Sequence, residues 1–148
     1  MLRTTVQTDG MNGAFRRIEE HKKRRSCDEL KQIALVGANT MKSLVALDMA
    51  QPKSGEWYFW KLAKPSSAPG ELPAIQSAEL VNSFKTETLP ECGTAAFQAS
   101  GKHAIWMEFG FHAQDGSFHI RPFMRTGLAK YRKEILGAMR TAMLALDK

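Results

Sequence analysis

Three histidines, His103, His112 and His119, stand close to Glu108 in the chain. These are the residue types from which a general base or a metal centre is built. Their spacing argues against both. His112 and His119 lie on either side of a turn, and no HExxH, CxxC, phosphate-binding glycine loop or GxSxG stretch accompanies them. They are assigned to the surface or an interface, and no catalytic residue, metal ligand or cofactor site is expected. Glu108 has two readings, a buried acid or a strand-end carboxylate capping a turn, and the second is the commoner. Gly110, two residues on, suits a backbone position of unusual φ. Cys27 and Cys92 are far apart and lack metal or redox spacing, so they are expected as free thiols of a reducing compartment.

Charge offers a second kind of chemistry. The formal net charge is +6, concentrated in HKKRR (His21 to Arg25) and in the segment from Arg121 onward. Lys22, Lys23, Arg24 and Arg25 are the candidates to face DNA. A solvated helix face explains the run more simply, since stacking aromatics interleaved with the basic residues are missing from it.

The elements that must position these residues begin after a loose arm, residues 1–13, broken by Gly10 and Gly13. A single domain, residues 14–148, follows. Helical character runs from about Ala14 to Ala50, with Phe15 to Arg25 either continuing the same helix or forming a separate one. Leu30, Ile33, Ala34, Gly37, Met41, Leu44 and Val45 fall on one face, Asp28 and Glu29 in an early turn, and Pro52 stops the helix. No apolar run approaches the roughly 18 residues of a membrane span, and no hydrophobic signal core precedes the helix.

GEWYFWKLA (Gly55 to Ala63) carries four consecutive aromatics, a strand signal with Trp57 and Phe59 on one face. An ordinary buried strand is the first reading and a subunit contact the second. The stretch SSAPGELPAIQSAEL then holds Pro69, Gly70 and Pro73 just after Pro65. It is expected as a long loop, projecting over residues 64–77. AELVNSFKTET reads as a helical turn entering a strand. TAAFQAS and HAIWMEFG follow as two strands around a Gly101-Lys102 hairpin turn, then a turn at Asp115-Gly116 and a brief strand SFHI. From Pro122 a long helix carries Met124, Leu128, Tyr131, Ile135, Met139 and Leu146 in its stripe. The fold class is α+β: a long N-terminal and a C-terminal amphipathic helix packed on an antiparallel β-sheet.

Three stretches in this order resemble the small neck and tail-completion proteins of long-tailed bacteriophages, a minor tail-component family. Ser67 to Phe84 is similar to the family's SAPGE-P-A stretch. His103 to Gly110 is similar to its Y-A-x-x-V-E-F-G-T element, matching at Glu108, Phe109 and Gly110. Arg121, Pro122, Phe123, Met124 and Arg125 match its R-P-F-L-R-P-A-L element. The chain departs where Ser77-Ala78-Glu79 replaces Thr-Gly, Phe111 replaces Thr, and Thr126-Gly127 replaces Pro-Ala. The resemblance covers about Met49 to Leu146 and implies a structural virion protein, not an enzyme. It implies a homo-oligomeric ring, sixfold in preference to twelvefold, that joins the tail to the head connector. The implied partners are other copies, connector or head-closure proteins, and tail-tube or terminator proteins, with DNA passing weakly bound through the lumen and no membrane. The protein would be assembled in the host cytoplasm. Under this reading Trp57, Phe59, Pro65, Pro69, Gly70, Glu71 and Pro73 are the candidate interface, and deleting Lys64 to Pro73 should spare the monomer. A small basic nucleic-acid-binding protein is the alternative.

Overall fold

The computed structural model describes residues 2–5, 25–55, 65–68, 71–74, 78–112, 114 and 116–146. Trp57, Phe59, Pro69, Gly70, Lys22, Lys23 and Arg24 lie outside these, as does most of the aromatic stretch. The expected arm is described in part. Its residues Leu2–Thr5 form a strand, β1, and not a loose end.

The dominant element is helix α1, Cys27–Ala50. Ser26 starts it through a capping box: the Glu29 amide donates to Ser26 Oγ at 3.3 Å, and the Ser26 amide donates to Glu29 Oε2 at 2.8 Å. Gln51 ends it in an extended conformation, as a residue before proline must. Leu30, Ile33, Met41, Val45 and Met49 form its buried face. By length and composition α1 does qualify as a membrane span, contrary to the sequence reading. Its apolar face is nonetheless taken up by the sheet and the last helix, which is the packing of a core helix.

A helical turn, α2 (Glu79–Asn82), feeds strand β2 (Phe84–Thr88), which pairs antiparallel with β3 (Ala95–Ala99). β1 pairs antiparallel with the other edge of β3, giving the order β1-β3-β2. All five residues of the central strand are buried, and Phe97 meets Phe84 edge-on at 5.0 Å. Phe84 in turn stacks on Phe123 at 5.6 Å.

The next segment corrects the expected strand and hairpin. HAIWMEFG forms helix α3, Ala104–Phe109, and Gly101-Lys102 is the turn that starts it, with the Ala104 amide donating to the Gly101 carbonyl. The hairpin connects β2 to β3 instead. A second ladder joins β4 (Phe111–His112) to β5 (Phe118–His119). The terminal helix is interrupted: α4 (Met124–Lys130) gives way at Tyr131 to α5 (Arg132–Ala145). Pro122 lies just before α4, outside its first turn.

Two close approaches bring these helices onto α1. A side chain at Gly37 would meet Met139 Sδ at 2.7 Å, and one at Gly127 would meet Val45 Cγ2 at 2.4 Å. Described residues thus form the α+β arrangement of a long N-terminal helix, a C-terminal helix and a small antiparallel sheet.

Cys27 and Cys92 are disulfide-bonded, not free. The start of α1 and the β2–β3 turn bring their Cα atoms to 5.1 Å across a sequence separation of 65. Spacing rules for metal and redox motifs cannot see such a pair, because only the fold makes it adjacent.

The Pro/Gly segment is corrected as well. Its described residues turn inward. Leu72 and Pro73 are fully buried, and Leu72 belongs to the main core. Glu71 accepts from Ser54 Oγ at 2.7 Å, from the Ser54 amide and from the Ala68 amide at 2.9 Å, which closes the segment onto the chain before it. Those hydrogen bonds hold its carboxyl below the usual range.

Candidate assembly surface

The two most definite motif stretches form one structural unit. Glu108 is at the end of α3 and only 2% exposed, yet it is fully occupied. Its Oε2 accepts from the amides of Phe123 and Met124, both at 2.9 Å. Its Oε1 accepts from the Arg125 amide at 3.1 Å and from Arg125 Nε at 2.9 Å. Arg125 Nη2 also donates to the Glu108 carbonyl. A helix start leaves orphan N–H groups and a positive dipole end. A carboxylate from elsewhere in the chain satisfies both here. Of the two sequence readings the buried acid is the one observed; the strand-end position is not, because the residue sits on a helix and caps the start of α4. The Arg121 amide donates to the Met107 carbonyl at 3.0 Å, completing the clasp. Arg121 Nε reaches the Ser67 carbonyl at 3.3 Å, tying in the Pro/Gly segment.

Because Ala104, Met107 and Glu108 point inward, the opposite side of α3 points outward. Ile105, Trp106 and Phe109 are 46%, 52% and 59% exposed. Phe111 and Phe118, on β4 and β5, are exposed as well, on opposite faces of that ladder, since Phe111 pairs with His119 and His112 with Phe118. Gly110 joins helix to hairpin at φ +90°, and a Cβ there would meet the Phe118 ring at 2.2 Å. Only glycine permits both the dihedral and the approach. The histidines lie against these rings. His103 lies against Trp106 at 5.2 Å, His112 against Phe118 at 5.1 Å, and His119 against Phe111 at 5.6 Å. Ser117 Oγ is 2.6 Å from His119 Nε2, and the Arg125 guanidinium lies 5.6 Å over the Phe109 ring. Among the described residues no group of three metal-ligating side chains occurs.

A second polar cluster is structural. Asp48, buried on α1, accepts from Lys53 Nζ at 2.7 Å, and from Lys130 and the Tyr131 hydroxyl at the break between α4 and α5. Burial pushes its carboxyl up, but these three partners outweigh that and hold it at about 2. Burial and the neighbouring Asp48 raise the Tyr131 hydroxyl.

The sequence-derived interface residues therefore divide. Pro73 serves the interior, while Glu71 and Pro65 are half-buried, Glu71 holding the segment to Ser54 at the surface. Phe123 is buried in the core, while Phe109 alone of the motif positions is a broadly exposed apolar side chain. Arg25 is half-buried and donates to the Met143 carbonyl at 2.9 Å, so it anchors the end of α5. Ile105, Trp106, Phe111 and Phe118 went unselected. The available signal was helical spacing within HAIWMEFG, which puts Ala104 and Glu108 on one face and Ile105, Trp106 and Phe109 on the other. Set beside family models, curated proteins and solved structures, the chain matches none of them at a significant level.

Proposed function

We propose that the protein is a structural subunit of a tailed-phage neck, a tail-completion component that assembles as a ring and is not an enzyme. The observation that carries this reading is the exposed apolar face of α3, formed by Ile105, Trp106 and Phe109 and built on the Glu108–Arg125 clasp. Exposed Ile, Trp and Phe side chains sharing one helix face are what a subunit contact uses and what an isolated protein tends to avoid. Support also comes from the way the two motif stretches, Glu108 to Gly110 and Arg121 to Phe123, interlock to present it. A head-to-tail contact through such a face closes into a ring when the rotation per subunit allows. The chain would fold in the host cytoplasm with Cys27 and Cys92 reduced, and the bond would close in the released particle.

Light scattering tests the proposal, on the protein alone and mixed with connector and tail proteins, across a salt series. A defined ring or a stoichiometric complex is expected. A species that ignores those proteins and binds duplex DNA, with affinity falling steeply in salt, would replace this reading with the nucleic-acid one.

A further inference from the structure

We infer that β2 is a docking edge for a second copy of this chain, the two β2 strands pairing antiparallel about a two-fold axis at Thr86. β2 closes one side of the β1-β3-β2 sheet, and among the described residues no strand pairs its outer edge. The Leu89 amide donates to the Thr94 carbonyl and the Ser100 amide to the Ser83 carbonyl. By the alternation of an antiparallel ladder, Lys85 and Glu87 then turn their backbone groups to β3, and Phe84, Thr86 and Thr88 turn theirs outward. Lys85, Glu87 and Thr88 are exposed. Such an edge is a template for another strand.

The order of side chains selects the occupant. Phe84 is in the core, so alternation sends Lys85 and Glu87 together to the opposite face of the sheet. Glu87 accepts there from Gln98 Nε2, which holds its carboxylate in place. A copy of FKTET laid antiparallel with Thr86 against Thr86 puts Phe84 against Thr88, so every outward N–H and C=O finds a partner. The same register sets each Lys85 opposite the Glu87 of the copy, attractive pairs at the closer, non-hydrogen-bonded positions. A head-to-tail copy continuing the sheet around a ring would instead bring β1 to this edge. β1 would then run parallel to β2, since both are antiparallel to β3, and its one charged residue is Arg3. That is the weaker kind of ladder, and it leaves Lys85 without a carboxylate. A foreign strand satisfies the backbone alone, whereas the copy satisfies the backbone and both charges at once. The contact shares no residue with the exposed face of α3 and stands whether or not that face builds a ring.

Sedimentation equilibrium over a concentration series tests this, on the full chain carrying Trp106→Ala and Phe109→Ala so that association through α3 is removed. A monomer–dimer equilibrium is expected. Lys85→Glu and Glu87→Lys should each weaken the dimer by about tenfold, since each turns both cross-strand pairs repulsive. Mixing those two chains should restore association as a heterodimer, and the doubly swapped chain, Lys85→Glu with Glu87→Lys, should restore the homodimer. Thr86→Pro removes an amide that faces outward from an edge strand, so it should keep the fold and lose the dimer. Circular dichroism establishes that the variants remain folded.

A mass that stays monomeric at every concentration, a dimer that the charge reversals leave unchanged, or a mixture that fails to regain what the single variants lose would overturn the inference. Light scattering on the chain with Trp106 and Phe109 in place reads the ring separately. A ring formed by a chain that shows no two-fold dimer removes this inference alone. The dimer in a chain that forms neither ring nor complex leaves it standing and removes the neck assignment.

Discussion

At the scale of single residues, Glu108 has the largest consequence. Glu108→Ala leaves the buried Phe123 and Met124 amides without their acceptor, while the exposed Arg125 side chain can turn to water, and should cost roughly 1–3 kcal/mol in urea unfolding. Glu108→Gln keeps an acceptor oxygen and should cost less. Gly110→Ala imposes a Cβ on a backbone that only glycine adopts and on the Phe118 ring. A loss of roughly 1–3 kcal/mol is expected in the same assay. Asp48 gives a pH dependence. Its carboxyl is lowered from 3.8 to about 2, so its contribution, about 2 kcal/mol, is fully present above the unfolded value and is lost as pH falls from 3.8 through 2. Stability measured across that window should fall in the native protein, and Asp48→Asn should remove this share of the slope while being less stable at neutral pH.

At the scale of elements, two connections decide how the parts are held. The Pro/Gly segment supplies Leu72 and Pro73 to the interior, so deletion of residues 64–73 should unfold the monomer. This reverses the expectation for a projecting loop, and a cooperative melting transition retained by the deletion variant would restore it. The Cys27–Cys92 bond joins the first turn of α1 to the β2–β3 turn across a separation of 65 residues. By loop-closure entropy, reduction or Cys27→Ser should lower stability by about 4 kcal/mol. Thermal melts with and without reductant measure this directly. An unchanged melting temperature, with two thiols titratable in the unreduced protein, would show the pair to be open.

At the scale of the whole molecule, the exposed face and the folded body are separable. Trp106 and Phe109 project away from the core, so replacing both by alanine should change unfolding free energy by less than about 1 kcal/mol. The same double variant should lose association with its partners in light scattering. Loss of fold together with association would mean that these rings support α3 from within. The geometry explains why they need not. α3 is held from its other side, by Ala104 in the core and by Glu108 on the start of α4.

The local signals in the sequence determined what is settled within a few residues. Asp28 and Glu29 mark an early turn of α1 and Pro52 its end, and the runs around Phe84 and Phe97 were legible as strands, though not as partners of each other. Gly110 was legible because its φ is a property of its own backbone. The candidate surface was not. HAIWMEFG is apolar enough to serve as strand or helix, and its rings suggest burial. Only tertiary packing turns the polar Glu108 inward, because the amides at the start of α4 give its carboxylate better partners than water would, and so sends Ile105, Trp106 and Phe109 outward. The inward course of the Pro/Gly segment and the meeting of Cys27 with Cys92 have the same origin. Each depends on contacts between residues far apart in the chain, which local spacing does not carry.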